Sequence, residues 1–455
     1  MFRLTPLAIT LCMIVACLTP TLPPTIASPL SAEPTPTLLP SANPTEAAKT
    51  PAALVIGTFG SPITFATHPE LASYGFRWGP SDGLFGAIPS GGGSYTFYGT
   101  AGSSAACAGT PKTAGPFTFT GTLDHVTGSN GCRRLFGPGD GPASWIFDKN
   151  YAGGGQVVRF AGAGKSGYLM PFHGEYQWLN PAAADHLCFA VPCFYSGIGL
   201  AVSTDNGQTF QNVGQILQPS RPLSEFIGGG KNYGVGYGVL IVADANGRHL
   251  DNPPSDPAGA YYYLFYGDSR PGLPGVCAIR ACAGIARAKY NDLIAAAFSG
   301  DPHQVARVFH KYDGGSPDPW TQPATSDTAD LSGAAGQFAP LWTDQGGIGA
   351  VIYDSAFDVY LSVNQTTSNG TVNQSASTGI SVRASSDLLH WSEPIAVYSE
   401  PDRQLWYPNL LGEAGDPAIG GPAPRVYFSS FAAGKFPDWT AAVFESVPLT
   451  LARGH

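Results

Sequence analysis

"GIGLAVSTD" (197–205), "GIARAKYND" (284–292) and "GISVRASSD" (379–387) align without gaps. Gly-Ile opens each, Asp stands eight positions after the Gly, and the first and third share a Ser at the seventh place. Each copy follows an aromatic strand-like run: "YLMPF" (168–172), "YYYLFYGD" (261–268) and "VYLSVNQ" (359–365). Each of those follows a Gly-led β-branched run: "GQVVRF" (155–160), "GVLIVAD" (238–244) and "GAVIYD" (349–354). Three strands in fixed order with a turn after the third make one antiparallel module, repeated.

Weaker copies flank these three. In front stand "GLFGAIP" (83–89), "SYTFYG" (94–99) and "FTFTGTLDHV" (117–126); behind stand "WYPNLLG" (406–412), "RVYFSSF" (425–431) and "TAAVFESV" (440–447). Five modules of roughly 75 residues are longer than WD40 repeats and suit four-stranded blades with insertions. The expected fold is all-β, a five-bladed β-propeller of four-stranded antiparallel blades over 52–455. A β-sandwich is the rival. The 58 Gly, the 41 Pro and a charged fraction of only 12 % agree with short strands and tight turns.

Ahead of this domain, residues 1–17 read as an export signal: an early Arg, a short apolar run, then Ile14-Val15-Ala16-Cys17. The last four resemble a bacterial lipobox, which would leave Cys17 lipidated and the protein anchored outside the cell; simple secretion is the alternative. Residues 18–51, rich in Pro, Thr, Ser and Ala, read as a disordered tether. A net charge of −9 argues against nucleic acid and anionic surfaces as partners. A monomer is expected, with membrane contact only through the lipid. Outside the signal, Cys107, Cys132, Cys188, Cys193, Cys277 and Cys282 form an even set. In an exported chain they read as disulfides, with neighbour pairing (107/132, 188/193, 277/282) preferred among fifteen connectivities.

Strand direction sorts the motifs by face. First-strand starts, second-strand ends and third-strand starts share one face, and third-strand ends lie on the other. "STDNGQTF" (203–210) fits Ser-x-Asp-x-Gly-x-Thr-aromatic, the Asp box of sialidases and other propellers, and "SSD" (385–387) with Trp391 is a degenerate copy. Both close third strands, so Asp205 and Asp387 read as turn builders rather than catalysts. The opposite face gathers "FHGEYQW" (172–178), "YGDSR" (266–270), Asp82, Asp148, Glu225 and "QLWYPN" (404–409). Carboxylates beside aromatic rings suit a carbohydrate.

Five blades, a first-strand Asp, "YYYLFYGD" and the Ser-Ser-Asp-x-x-x-Trp turn resemble the glycoside hydrolases of the arabinanase, invertase and levansucrase superfamily. That resemblance implies one acidic residue from each of the first three blades: Asp82 as base or nucleophile, Asp148 as the neighbour that tunes it, and Glu225 as proton donor. Glu175 is the alternative donor, with His173 beside it and Trp178 to desolvate it. Asp268, Trp406 and Tyr407, together with His173 and Trp178, are the expected sugar-binding residues. No cofactor is expected; the resemblance allows a structural calcium ion in the channel, for which the sequence offers no ligand cluster. A sialidase is disfavoured because no arginine triad can be placed. Two further readings keep the propeller without catalysis: a cell-surface carbohydrate-binding or scaffold protein, and an adhesion module with a flat apolar face.

Overall fold

A computed structural model describes residues 54–56, 61–76, 82–101, 115–180, 183, 185–186, 188, 192–227, 232–269, 282–342, 348–366, 377–412, 416, 419–421, 423–436 and 438–453. The chain divides into Met1–Asn43 and Pro44–His455, and every described residue belongs to the second. The export signal, Cys17, most of the tether, Cys107, Cys277 and the side chain of Cys132 lie outside the described residues.

The described chain is all-β apart from short helices, with mainly antiparallel sheets whose strands we group in five successive up-and-down units; units two and three share one ten-stranded sheet, joined by a parallel pairing of Tyr195 with Tyr233 and Ser196 with Gly234. Unit one is Gly86–Gly91, Ser94–Ala101, Gly115–Gly121 and Val126–Arg134. In unit two, Tyr151–Gly153 and Val158–Gly162 both pair with Lys165–Trp178, followed by Cys193–Ser203 and Gln211–Leu217. Unit three is Tyr233–Asp244, Ala260–Ser269, Cys282–Lys289 and the short His310–Lys311. Unit four is Ile348–Asp354, Val359–Thr366, Gly379–Ser385 and Ile395–Ser399. Unit five is Arg403–Leu411, Arg425–Ala432 and Val443–Pro448, and its outermost strand, Ile63–Thr67, comes from the front of the chain.

The Gly-Ile repeat marks third strands, as expected, and packing explains both residues. Ile198, Ile285 and Ile380 are fully buried. A Cβ on Gly197, Gly284 or Gly379 would come within 2.4, 2.4 and 2.7 Å of the side chains of Gln215, Tyr266 and Thr366, neighbours that lie across the glycine. The second copy departs after its strand: Tyr290–Ala297 is a helix, because Tyr290, Leu293, Ile294 and Ala297 recur at helical spacing and are buried.

Hydrophobic layers join the sheets in sequence. Ile88 and Tyr98 of unit one pack with Met170 and Phe172 of unit two, and Leu200 of unit two with Leu264 of unit three. Phe265 of unit three packs with Val351 of unit four, and Leu361 of unit four with Phe428 of unit five. Tyr427 and Phe444 of unit five then pack with Phe85 and Phe97 of unit one, around Phe65.

Candidate active site

Asp82 lies just before unit one, its N–H bonded to the Thr100 carbonyl at 2.9 Å. The Tyr151 hydroxyl, from the first strand of unit two, donates to Asp82 Oδ2 at 3.2 Å and to its backbone carbonyl at 2.9 Å. The Tyr407 hydroxyl, from unit five, donates to Oδ1 at 3.1 Å. Tyr407 reaches it because its strand bulges between Trp406 and Asn409 and Tyr407 itself takes φ +53°. For a residue with a large side chain that conformation is strained and needs support. Asn409 provides it, donating from Nδ2 to the Tyr407 carbonyl at 2.8 Å while its Oδ1 accepts from the Phe85 N–H of unit one at 3.1 Å.

Unit two supplies the rest. Lys165–Trp178 pairs with Cys193–Ser203 without a break in register, so side chains alternate to its end and His173, Glu175 and Gln177 share one face. Glu175 is buried; its Oε1 lies 3.0 Å from His173 Nε2, and its Oε2 accepts from Gln177 Nε2 at 2.6 Å. The His173 ring stands edge-on to Tyr151 and Phe194, with centroids 5.8 and 6.3 Å away. Gly236 of unit three faces it: a Cβ there would lie 3.3 Å from His173 Nδ1.

Asp82 is half-buried, its carboxyl hemmed in by the Tyr151 and Tyr407 hydroxyls. Burial, aided by the Glu175 charge, pushes Asp82 up to about 6, against the hydroxyls of Tyr407 and Tyr151 and the His173 charge, which pull it down. The structure therefore brings together Asp82, Glu175, His173 and Tyr407 from the residues expected on sequence grounds.

Others are placed elsewhere. Asp148 lies behind the Glu175 strand, beside Gly174, and its Oδ2 accepts from Asn212 Nδ2 at 2.7 Å. Burial pushes it up to about 6, and Asp140 rather than Asp82 is the carboxylate that adds to this. Glu225 closes a short turn on an exposed ion pair with Arg221. Trp178 falls on the strand face opposite Glu175, because the second strand stays regular to Trp178 and successive side chains alternate faces. Asp268 is fully buried between Val235 and Cys282 in the sheet, where its charge adds to the burial that raises Tyr195 of unit two. Trp406 is buried and stacked on Phe436 at 3.9 Å.

Cys188 and Cys193 are bonded to each other, just before the strand that carries Phe194. Cys282 is disulfide-bonded to a partner outside the described residues. Among the described residues no group of three or more His, Cys, Asp or Glu is placed to hold a metal ion.

At the far end of the third strands, Asp205 accepts from the Thr209 N–H and hydroxyl, and the Ser203 hydroxyl binds both Asp205 and the Gly207 N–H. Asp387 repeats this with the N–H groups of Leu389 and His390.

Sequence reasoning missed Tyr151, Gln177, Phe194 and Gly236. The alternation in "HGEYQW" could have placed Gln177 with Glu175. Tyr151 was hidden because its strand is interrupted by 154–157 before resuming at Val158.

No family model matches the chain. No curated protein matches it either. Among solved structures it is similar to an α-L-arabinofuranosidase from Podospora anserina in complex with cellotriose, at 10 % identity and TM-score 0.43, covering 88 % of this chain and 98 % of that one. It is also similar to a family 117 glycoside hydrolase from Zobellia galactanivorans, at 9 % identity and TM-score 0.46, covering 87 % and 90 %. A third is an α-L-arabinanase from Cellvibrio cellulosa complexed with arabinohexaose, at 10 % identity and TM-score 0.41, covering 81 % and 91 %.

Proposed function

We propose that the five units are the blades of a five-bladed β-propeller and that the recess at Asp82 cleaves a glycosidic bond in a polysaccharide or oligosaccharide. The hydrophobic layers support a ring, since they run from each unit to the next and from unit five back to unit one. A ring brings Asp82, Glu175 and Tyr407 together from three units.

The observation that carries the chemistry is the pair of Asp82 and Glu175, close enough that one charge shifts the other. Glycoside hydrolysis needs one carboxyl to protonate the leaving oxygen and a carboxylate to activate water or attack carbon. A pair whose environments differ assigns its own roles. Asp82, pushed up to about 6, is the group suited to donate a proton, which leaves the second role to Glu175, whose Oε2 accepts from Gln177. This reverses the order that the family resemblance implies for Asp82. Phe194 and Tyr407, both partly accessible, offer ring faces to sugar C–H groups.

The test is a glycan panel with wild type, Asp82→Asn and Glu175→Gln. Wild-type cleavage should fall by about a thousandfold or more in each variant while glycan binding persists. The wild-type rate should decline as pH rises through about 6, where Asp82 loses its proton. A rate that instead rises through that pH would return Asp82 to the role of base.

A second reading, glycan binding without cleavage, is favoured by the two phenols that occupy both Asp82 oxygens. It predicts binding by all three proteins and cleavage by none. Export on a lipidated Cys17 belongs to the same proposal; Cys17→Ala should move the protein from the membrane fraction to the medium.

A further inference from the structure

His173 touches Glu175 directly and meets Asp82 through Tyr151. Its Nε2 lies 3.0 Å from Glu175 Oε1. An ionised carboxylate only accepts, so Nε2 carries the hydrogen and the imidazole fixes the direction of that oxygen. The ring has little freedom to turn. Tyr151 crosses it edge-on at 73° and Phe194 at 89°, and on its Nδ1 side Gly236 leaves room that a Cβ would take. Tyr151 is also the phenol that holds Asp82. One packed wall therefore runs from Glu175 through His173 and Tyr151 to Asp82.

We propose that His173 is a positioning residue that orients the Glu175 carboxylate and couples its charge to Asp82. Titratable groups that act on or meet it include Glu175 on its own strand, Asp82 before unit one, and Tyr151 on the first strand of unit two. Phe194 and Gly236, which also lie against it, carry no charge. A positive imidazole favours the ionised Asp82 carboxyl, and its loss leaves the Tyr407 and Tyr151 hydroxyls alone to hold that carboxyl against the Glu175 charge. What the pair is used for rests on the hydrolase reading; the coupling itself does not.

The experiment follows the Asp82 carboxyl carbon by NMR titration in wild type, His173→Gln and His173→Leu, with hydrolysis measured on the same samples. Gln can place an amide N–H near the Nε2 position but carries no charge; Leu supplies neither. Wild-type Asp82 should titrate near 6, and its midpoint should move to higher pH in both variants. Hydrolysis should fall by about tenfold to a hundredfold in His173→Leu, mainly in kcat, and be partly restored in His173→Gln. A midpoint unmoved in His173→Gln overturns the coupling, whatever the rates do. If the midpoint moves while wild type cleaves no glycan, the coupling stands and the hydrolase reading falls. Should His173→Leu not fold, the midpoint in His173→Gln decides alone.

Discussion

Single side chains set the chemistry of the recess. Tyr407 is held at φ +53° by Asn409, and what that conformation achieves is a hydroxyl on Asp82. Tyr407→Phe removes a donor that favours the ionised carboxyl, so Asp82 should titrate higher by about half a unit to one unit. The high-pH limb of any hydrolytic rate should move up with it. Asn409→Ala should harm the site more than its burial suggests, because it releases the bulge and leaves the Phe85 N–H without its acceptor. Comparing rate and thermal stability in the two variants separates the lost hydroxyl from the lost bulge. The His173, Glu175 and Gln177 face was legible from alternation along "HGEYQW"; the reach of Tyr407 was not, since it depends on a bulge set by pairing with Arg425–Ala432.

At the scale of elements, buried polar groups that serve no recess show where stability can be gained. Asp354 is fully buried; its Oδ1 accepts from the Ala356 and Phe357 N–H groups while its Oδ2 has no partner among the described residues. Burial raises it from 3.8 to about 6. Between those values the folded protein holds a proton that the unfolded chain has released. The stability this proton supports is present below about 4 and lost as pH rises through about 6. Asp354→Asn should therefore raise Tm at pH 7.5 and change it less at pH 4.

Ser362, fully buried with an unpartnered hydroxyl, offers a simpler case: Ser362→Ala should be neutral or stabilise by up to about 1 kcal/mol in urea denaturation. The turn at Asp205 is the counterexample. Its hydrogen bonds hold the end of a third strand, so Asp205→Ala should cost about 1 kcal/mol and leave the titration of Asp82 unchanged.

For the molecule as a whole, the joint between its two chain ends is the critical contact. Phe65, on the strand from the front of the chain, meets Phe97, Tyr427 and Phe444 with ring centroids 5.1 to 5.3 Å away. Phe65→Ala should cost about 3–5 kcal/mol in urea denaturation. Deleting the chain through Thr67 should go further, since it bares the edge of Val443–Pro448 and invites aggregation. Deleting only residues 1–51 should leave the same urea midpoint.

The order of strands, the turns at Asp205 and Asp387 and the all-β class were determined by the sequence alone. Local physics governs them: side-chain alternation, glycine beneath a neighbouring side chain, and backbone hydrogen bonds to nearby carboxylates. Which acids meet was decided only by tertiary structure. Asp148 sits in the turn before unit two and Glu175 on its second strand, and one faces Asn212 while the other faces His173. Asp82 finds its two phenols 69 and 325 residues away. Contacts between strands so distant depend on how whole sheets pack, and no short-range pattern carries that information.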